Sequence, residues 1–161
     1  MRIRELMTQP VITCHQNEPL NKAARSMWER DCGSVPVVDD DGGLVGMITD
    51  RDICMSAYTR NARLEDILIQ NAMAKHVFSC RPDDTLDMAE QLMADKQIRR
   101  LPVVDQNNRP VGMLSMNDMA RHAASTRRKN GVEKEVVETL AAICQPRHRR
   151  APSPEQVGAS V

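Results

Sequence analysis

Residues 7–53 and 73–119 align at a constant offset of 66 without a gap, and 14 of the 47 aligned positions are identical. The identities include Cys14/Cys80, Leu20/Leu86, Gly46-Met47 against Gly112-Met113, Asp52/Asp118, and Pro36-Val37-Val38-Asp39 against Pro102-Val103-Val104-Asp105. A gapless repeat of this length calls for two copies of one folding unit. A unit of about 60 residues buries too small a share of its surface to be robust alone. Each copy is therefore expected to need the other. Two like units packed together make a pseudo-twofold axis with matching clefts.

Each copy reads in the same order. A short strand comes first (PVIT at 10–13, HVFS at 76–79), then a polar turn. A helix follows, with Leu20, Ala23, Ala24 and Met27 at i, i+3, i+4 and i+7 in one copy and Leu86, Ala89, Glu90 and Met93 in the other. Next is a compact β-branched run, SVPVVD at 34–39 and RLPVVD at 100–105, which reads as a buried strand with its proline near the start. DDGG and QNNR supply turns tolerant of positive φ. LVGMI and PVGML return as the second hairpin strand, and another helix opens at Thr49 or Ser115.

The pattern predicts a mixed α/β (α+β) chain of two tandem β-α-β-β-α units, residues 1–62 and 63–124. ARLEDIL, within the connection, reads as a short helix. Beyond lies a basic extension, 125–161. It holds a helix over 132–144 with Val136, Val137, Leu140 and Cys144 on one face, and a Pro-rich, disordered end.

Formal charge balances at 22 basic and 22 acidic residues, so neither nucleic acid nor an anionic membrane is an expected partner for the whole chain. Residues 120–161 are locally basic, with 8 Lys/Arg against 4 Asp/Glu, for which solvated charge is the commoner explanation. No apolar run approaches the roughly 20 residues that span a bilayer, and MRIRELMTQP lacks a secretory apolar stretch. Five scattered cysteines without CxxC spacing argue against a zinc or disulfide framework and fit a reducing cytoplasm. Cys14 and Cys80 read as small core residues. The four histidines have no acid, nucleophile or metal partner at a recognisable spacing, so neither catalysis nor a catalytic cofactor is expected.

GMITDRD at 46–52 and GMLSMND at 112–118 carry the chemistry. Thr49…Asp52 and Ser115…Asp118 each match a capping box, in which hydroxyl and acid satisfy first-turn amides. A carboxylate there is also stabilised by the helix dipole. If it projects into a cleft, its oxygens can accept from both hydroxyls of a ribose. One such motif reads as a cap; two, after the same hairpin in a tandem repeat, are more specific.

In this order and spacing, LMTQPVIT and NAMAKHVFS, SVPVVD and RLPVVD, and the two Gly-apolar-apolar-Ser/Thr-x-x-Asp ends resemble a pair of CBS domains, or Bateman module. The resemblance covers residues 1–122. It implies a sensor or regulator that binds an adenosine-containing ligand between the copies: AMP, ADP or ATP, with NAD or S-adenosylmethionine as other members of the class. It implies ribose contacts at Asp118 and Ser115 in one cleft and at Asp52 and Thr49 in the other. It also implies a flat homodimer through the helices, whose apolar faces include Met27, Ile53, Met93 and Met119, and an effector protein as partner.

The copies differ where such members hold phosphate, with Arg99-Arg100 before one middle strand and Gly33-Ser34 before the other. Arginine's planar fork suits phosphate. One cleft is expected to join Asp118, Ser115 and Asn117 with Arg99 and Arg100, completed around the base by Thr8, Pro10, Gly33, Ser34 and Val35. The other uses Thr49, Arg51 and Asp52 with Lys75, Ile98 and Leu101. Alternatively, Arg99 and Arg100 serve both clefts. A competing expectation is a ligand-free dimerisation or protein-interaction module.

Overall fold

The computed structural model describes residues 1–125 and 132–143. The first copy contains β1 (Cys14–His15), α1 (Leu20–Glu29), β2 (Ser34–Val38), β3 (Leu44–Thr49) and α2 (Asp50–Arg60). The second contains α3 (Leu86–Lys96), β4 (Arg100–Val104), β5 (Pro110–Ser115) and α4 (Met116–Ser125), and α5 (Val132–Ile143) follows. The hairpins β2–β3 and β4–β5 share one antiparallel register, with a shift at equivalent places, Val37/Val38 and Val103/Val104. Their turns are built alike. Asp39 Oδ1 accepts from the amides of Asp41 and Gly43, and Asp105 Oδ1 from those of Asn107 and Arg109. Gly42 and Asn108 supply the left-handed position, at φ 79° and 60°.

Each hairpin and its helices enclose a core. Leu20, Ala23, Met27, Val35, Val37, Ile48 and Ile53 form the first, and Leu86, Ala89, Met93, Leu101, Val103, Leu114 and Met119 form the second. The leading segments cross between them. Ile3, fully buried, joins the second core, and its amide bonds to Asp84 O at 3.0 Å. Thr8 and Met113 exchange backbone hydrogen bonds of 2.8 and 3.1 Å. Reciprocally, Ile67 and Ile69 join the first core, and Ala74 exchanges bonds of 2.9 and 3.0 Å with Met47. The copies follow one another in sequence, but in space each core takes its leading segment from before the other copy.

This exchange corrects the expected first strands. Residues 10–13 are not a strand, because the chain there passes from Met113 of one hairpin to the other, where Cys14 pairs in parallel with Val37. Residues 76–79 likewise cross from Met47 to a single bridge, Cys80 to Val103. The exchange also explains the repeated Gly-Met. A Cβ on Gly46 would press into Met73 Sδ and lie 3.2 Å from the Ala74 carbonyl oxygen. One on Gly112 would meet Met7 Sδ at 2.6 Å and the Thr8 carbonyl at 3.3 Å.

ARLEDIL forms only a 3-10 turn, Leu64–Asp66, because Ile67 must extend to accept from the Leu20 amide. Helix α5 packs on α3 and α4 of its own chain. It buries Val136, Thr139 and Ile143, whereas Val137 and Leu140 are exposed. The buried stripe thus runs i, i+3, i+7 and is rotated from the expected one; Cys144 lies outside the described residues, as does the tail from 144 to 161. Met27, Ile53, Met93 and Met119 fill the chain's own cores and present no outer face. The apolar side chains that the helices do expose include Trp28, Met55, Tyr58 and Met88. Cys14 and Cys80 are core residues. Burial raises both thiol pKa values above 9.0, Cys80 to about 12.

Candidate functional site

The strand-to-helix junctions position two carboxylates. At the first, the Thr49 amide and hydroxyl donate to Asp52 Oδ2 at 3.0 and 2.7 Å, and the Asp52 amide returns to Thr49 Oγ1 at 3.1 Å. At the second, the Ser115 amide and hydroxyl donate to Asp118 Oδ2 at 2.8 and 2.6 Å, and the Asp118 amide returns to Ser115 Oγ at 3.3 Å. Both are complete capping boxes. Each box consumes one carboxylate oxygen and leaves the other, Oδ1. Capping and ligand binding are therefore compatible uses of the same acid.

The remaining oxygens differ. Asp118 Oδ1 accepts from the Thr8 hydroxyl at 3.3 Å and pairs with Arg121, one turn along α4. Ala74 and Met55 stand at the equivalent positions of the repeat. Among the described residues, Asp52 Oδ1 receives no hydrogen bond. Asp118 is only 4% exposed.

Two clefts lie between the copies. The first, about 300 Å³, is bordered by Ser115, Asn117, Asp118 and Arg100 from one copy and by Thr8, Pro10, Gly33, Ser34 and Val35 from the other. Arg99 instead faces the second cleft, of about 790 Å³, with Thr49, Arg51, Ile98 and Arg100. Gly33, Ser34 and Arg100 border both. Asp52, Lys75 and Leu101 do not line the second cleft; Lys75 is exposed and Leu101 is fully buried in the second core.

Sequence reasoning missed Arg30 and Arg121, which border the first cleft with Asp31. The signal for Arg121 was present, since opposite charges three residues apart on a helix meet. Arg30 offered none, because its place depends on how α1 ends. Asp31 and its repeat equivalent Gln97 both adopt left-handed backbone, φ 49° and 51°, just after α1 and α3. That turn is the common helix stop, usually given to glycine, and here it brings Asp31 to the first cleft and Gln97 to the second. Three guanidiniums against two carboxylates make the first cleft suited to an anion that also offers hydroxyls. Ser34 Oγ, buried at its wall, has no hydrogen-bond partner among the described residues.

The CBS domain profile matches residues 3–57 and 64–125. The chain belongs to the CBS domain family. A CBS domain-containing protein of Bacillus subtilis, YhcV, is 40% identical over 118 residues, spanning 73% of this chain and 82% of that protein. A homoserine O-acetyltransferase of Methanohalobium evestigatum is 33% identical over 119 residues, 74% of this chain but only 23% of that protein. This chain thus spans less than a quarter of that protein's length. Among solved structures, the CBS domain pair of MJ0100 in complex with 5'-methylthioadenosine and S-adenosyl-L-methionine superposes with a TM-score of 0.71 at 28% identity, covering 79% of this chain and 98% of that one. The fold is thus a tandem CBS pair. Among the described residues, no helix is long and apolar enough to cross a membrane.

Proposed function

We propose that this CBS pair is a regulatory module that binds an adenosine-containing ligand between its copies and passes its occupancy to a partner protein. The observation that carries the reading is Asp118: a buried carboxylate on a helix N-terminus, bordering a cleft that also contains Arg30, Arg100 and Arg121. Ribose hydroxyls would donate to Asp118, phosphates would meet the arginines, and the base would lie against Pro10, Gly33 and Val35. The adenosyl ligands of the MJ0100 pair support the ligand class. The arginines favour AMP, ADP or ATP over S-adenosylmethionine, whose sulfonium is cationic.

The second cleft, with Thr49, Arg51, Arg99 and Arg100, would take a further ligand of the class. The module acts in the cytoplasm as a homodimer that signals to an effector, without membrane, nucleic acid or catalytic chemistry. Trp28 and Tyr58, 89% and 79% exposed on α1 and α2, favour those helices as the surface for a second copy or an effector. They also keep open a second reading, a ligand-free interaction module.

Thermal melting with AMP, ADP, ATP, NAD and S-adenosylmethionine separates the two. A ligand at about 100 Kd adds roughly 2.7 kcal/mol to the folded state and raises the melting temperature by several degrees. A flat panel would leave only the interaction module.

A further inference from the structure

We propose that Arg121 sets the preference of the first cleft for a phosphorylated over an unphosphorylated nucleoside, by holding Asp118 when no ligand is present and moving to the phosphate when ribose arrives. This inference rests on the adenosyl reading of the cleft.

Arg121 and Asp118 form an ion pair through Asp118 Oδ1, the carboxylate oxygen that the capping box leaves over. A ribose diol approaching Asp118 must displace or share that contact. The pair opens readily, because the Arg121 side chain is 70% exposed and an ion pair with one partner in water is weak. The freed guanidinium stays in the cleft, since Arg121 lines it together with Asn117, Arg30 and Arg100. Its five N–H donors form a planar fork that matches phosphate. Ribose binding therefore releases a cation where a 5'-phosphate can take it up, whereas a nucleoside opens the pair without compensation.

The repeat supplies the internal contrast. The position equivalent to Arg121 is Met55, and that equivalent to Thr8 is Ala74. The Asp52 carboxylate thus has neither restraint, and the second cleft has no such coupling of sugar to phosphate. Thr8 Oγ1, at 3.3 Å from the same Asp118 oxygen, keeps the carboxylate oriented when Arg121 leaves.

The test is calorimetry of AMP and of adenosine with the full chain, its Arg121→Met variant (the residue of the other copy) and Arg121→Lys. Wild type should prefer AMP. Arg121→Met should weaken AMP at least about fivefold and strengthen adenosine about two- to fivefold, the second because Asp118 is no longer covered. Arg121→Lys should keep part of the preference, as a point charge without the fork. Opposite movement of the two ligands is a result that loss of structure cannot mimic. If both affinities fall together, or the ratio of the two stays at its wild-type value, the assignment of Arg121 is overturned while the cleft reading stands. If wild type binds neither, both are overturned.

Discussion

Replacing Asp118 by alanine tests the cleft at its most constrained atom. The side chain has two uses that the substitution removes together. Oδ2 completes the capping box with Ser115, and losing such a contact costs about 1 kcal/mol of stability, within the 0.5–2 kcal/mol range of caps. Oδ1 is the oxygen proposed to accept from ribose. Hydrogen bonds to a charged acceptor contribute about 1.5–3 kcal/mol each, so two would supply about 3–6 kcal/mol. Opening the Arg121 pair, exposed only on the arginine's side, costs about 1 kcal/mol of this, leaving roughly 2–5 kcal/mol. A tenfold change in Kd is about 1.4 kcal/mol. Asp118→Ala should therefore weaken AMP at least about tenfold, measured by calorimetry at fixed ionic strength because arginine–phosphate contacts are screened by salt. Urea unfolding of the same variant should show the smaller loss, confirming that the cleft remains folded. A folded variant whose AMP affinity stays within about twofold of wild type would confine Asp118 to capping and remove it from ribose binding.

Four further outcomes follow from the fold. Gly112→Ala should lower stability by about 1–3 kcal/mol in urea, since the added methyl meets Met7 Sδ at 2.6 Å and the Thr8 carbonyl at 3.3 Å; an unchanged midpoint would deny the tight crossing. Cys80, held protonated in the fold up to about 12 against 9.0 when exposed, contributes stability that is present below pH 9 and lost as pH rises through that window. Urea midpoints should fall from pH 8 to pH 10.5, by up to about 1.4 kcal/mol per unit from this thiol. At pH 8 a thiol reagent should modify Cys32 and Cys54, which are exposed, well before Cys14 and Cys80. A chain ending at residue 125 loses the buried Val136 and Ile143 and should be less stable by about 3 kcal/mol or more, with increased binding of an apolar dye; equal stability would mean that α5 is not part of the second core.

The parts of the fold legible in the sequence are those governed by neighbours in the chain. The hairpins follow from β-branched runs around Asp39–Gly43 and Asp105–Arg109, and the starts of α2 and α4 follow from Ser/Thr-x-x-Asp, because turns and caps are satisfied within a few residues. Long-range choices were not legible. PVIT reads as a strand by composition, but its residues lie between two hairpins and pair with neither. The α5 stripe could be phased two ways, and only the groove between α3 and α4 selects Val136, Thr139 and Ile143. At the site, the inequality of the copies was visible at Gly33-Ser34 against Arg99-Arg100. Arg100 borders both clefts because β4 starts at the axis between them, whereas Arg99 points only to the second. The larger inequality, Thr8 and Arg121 against Ala74 and Met55, lay in residues that become partners of Asp118 only when the leading segment crosses and α4 forms.

The most direct measurement is a crystal structure of the full chain grown with AMP. A nucleotide is expected in the cleft of Asp118, with its ribose hydroxyls on that carboxylate and its phosphate among Arg30, Arg100 and Arg121. A nucleotide bound elsewhere on the molecule, or a cleft empty at saturating AMP, would contradict it.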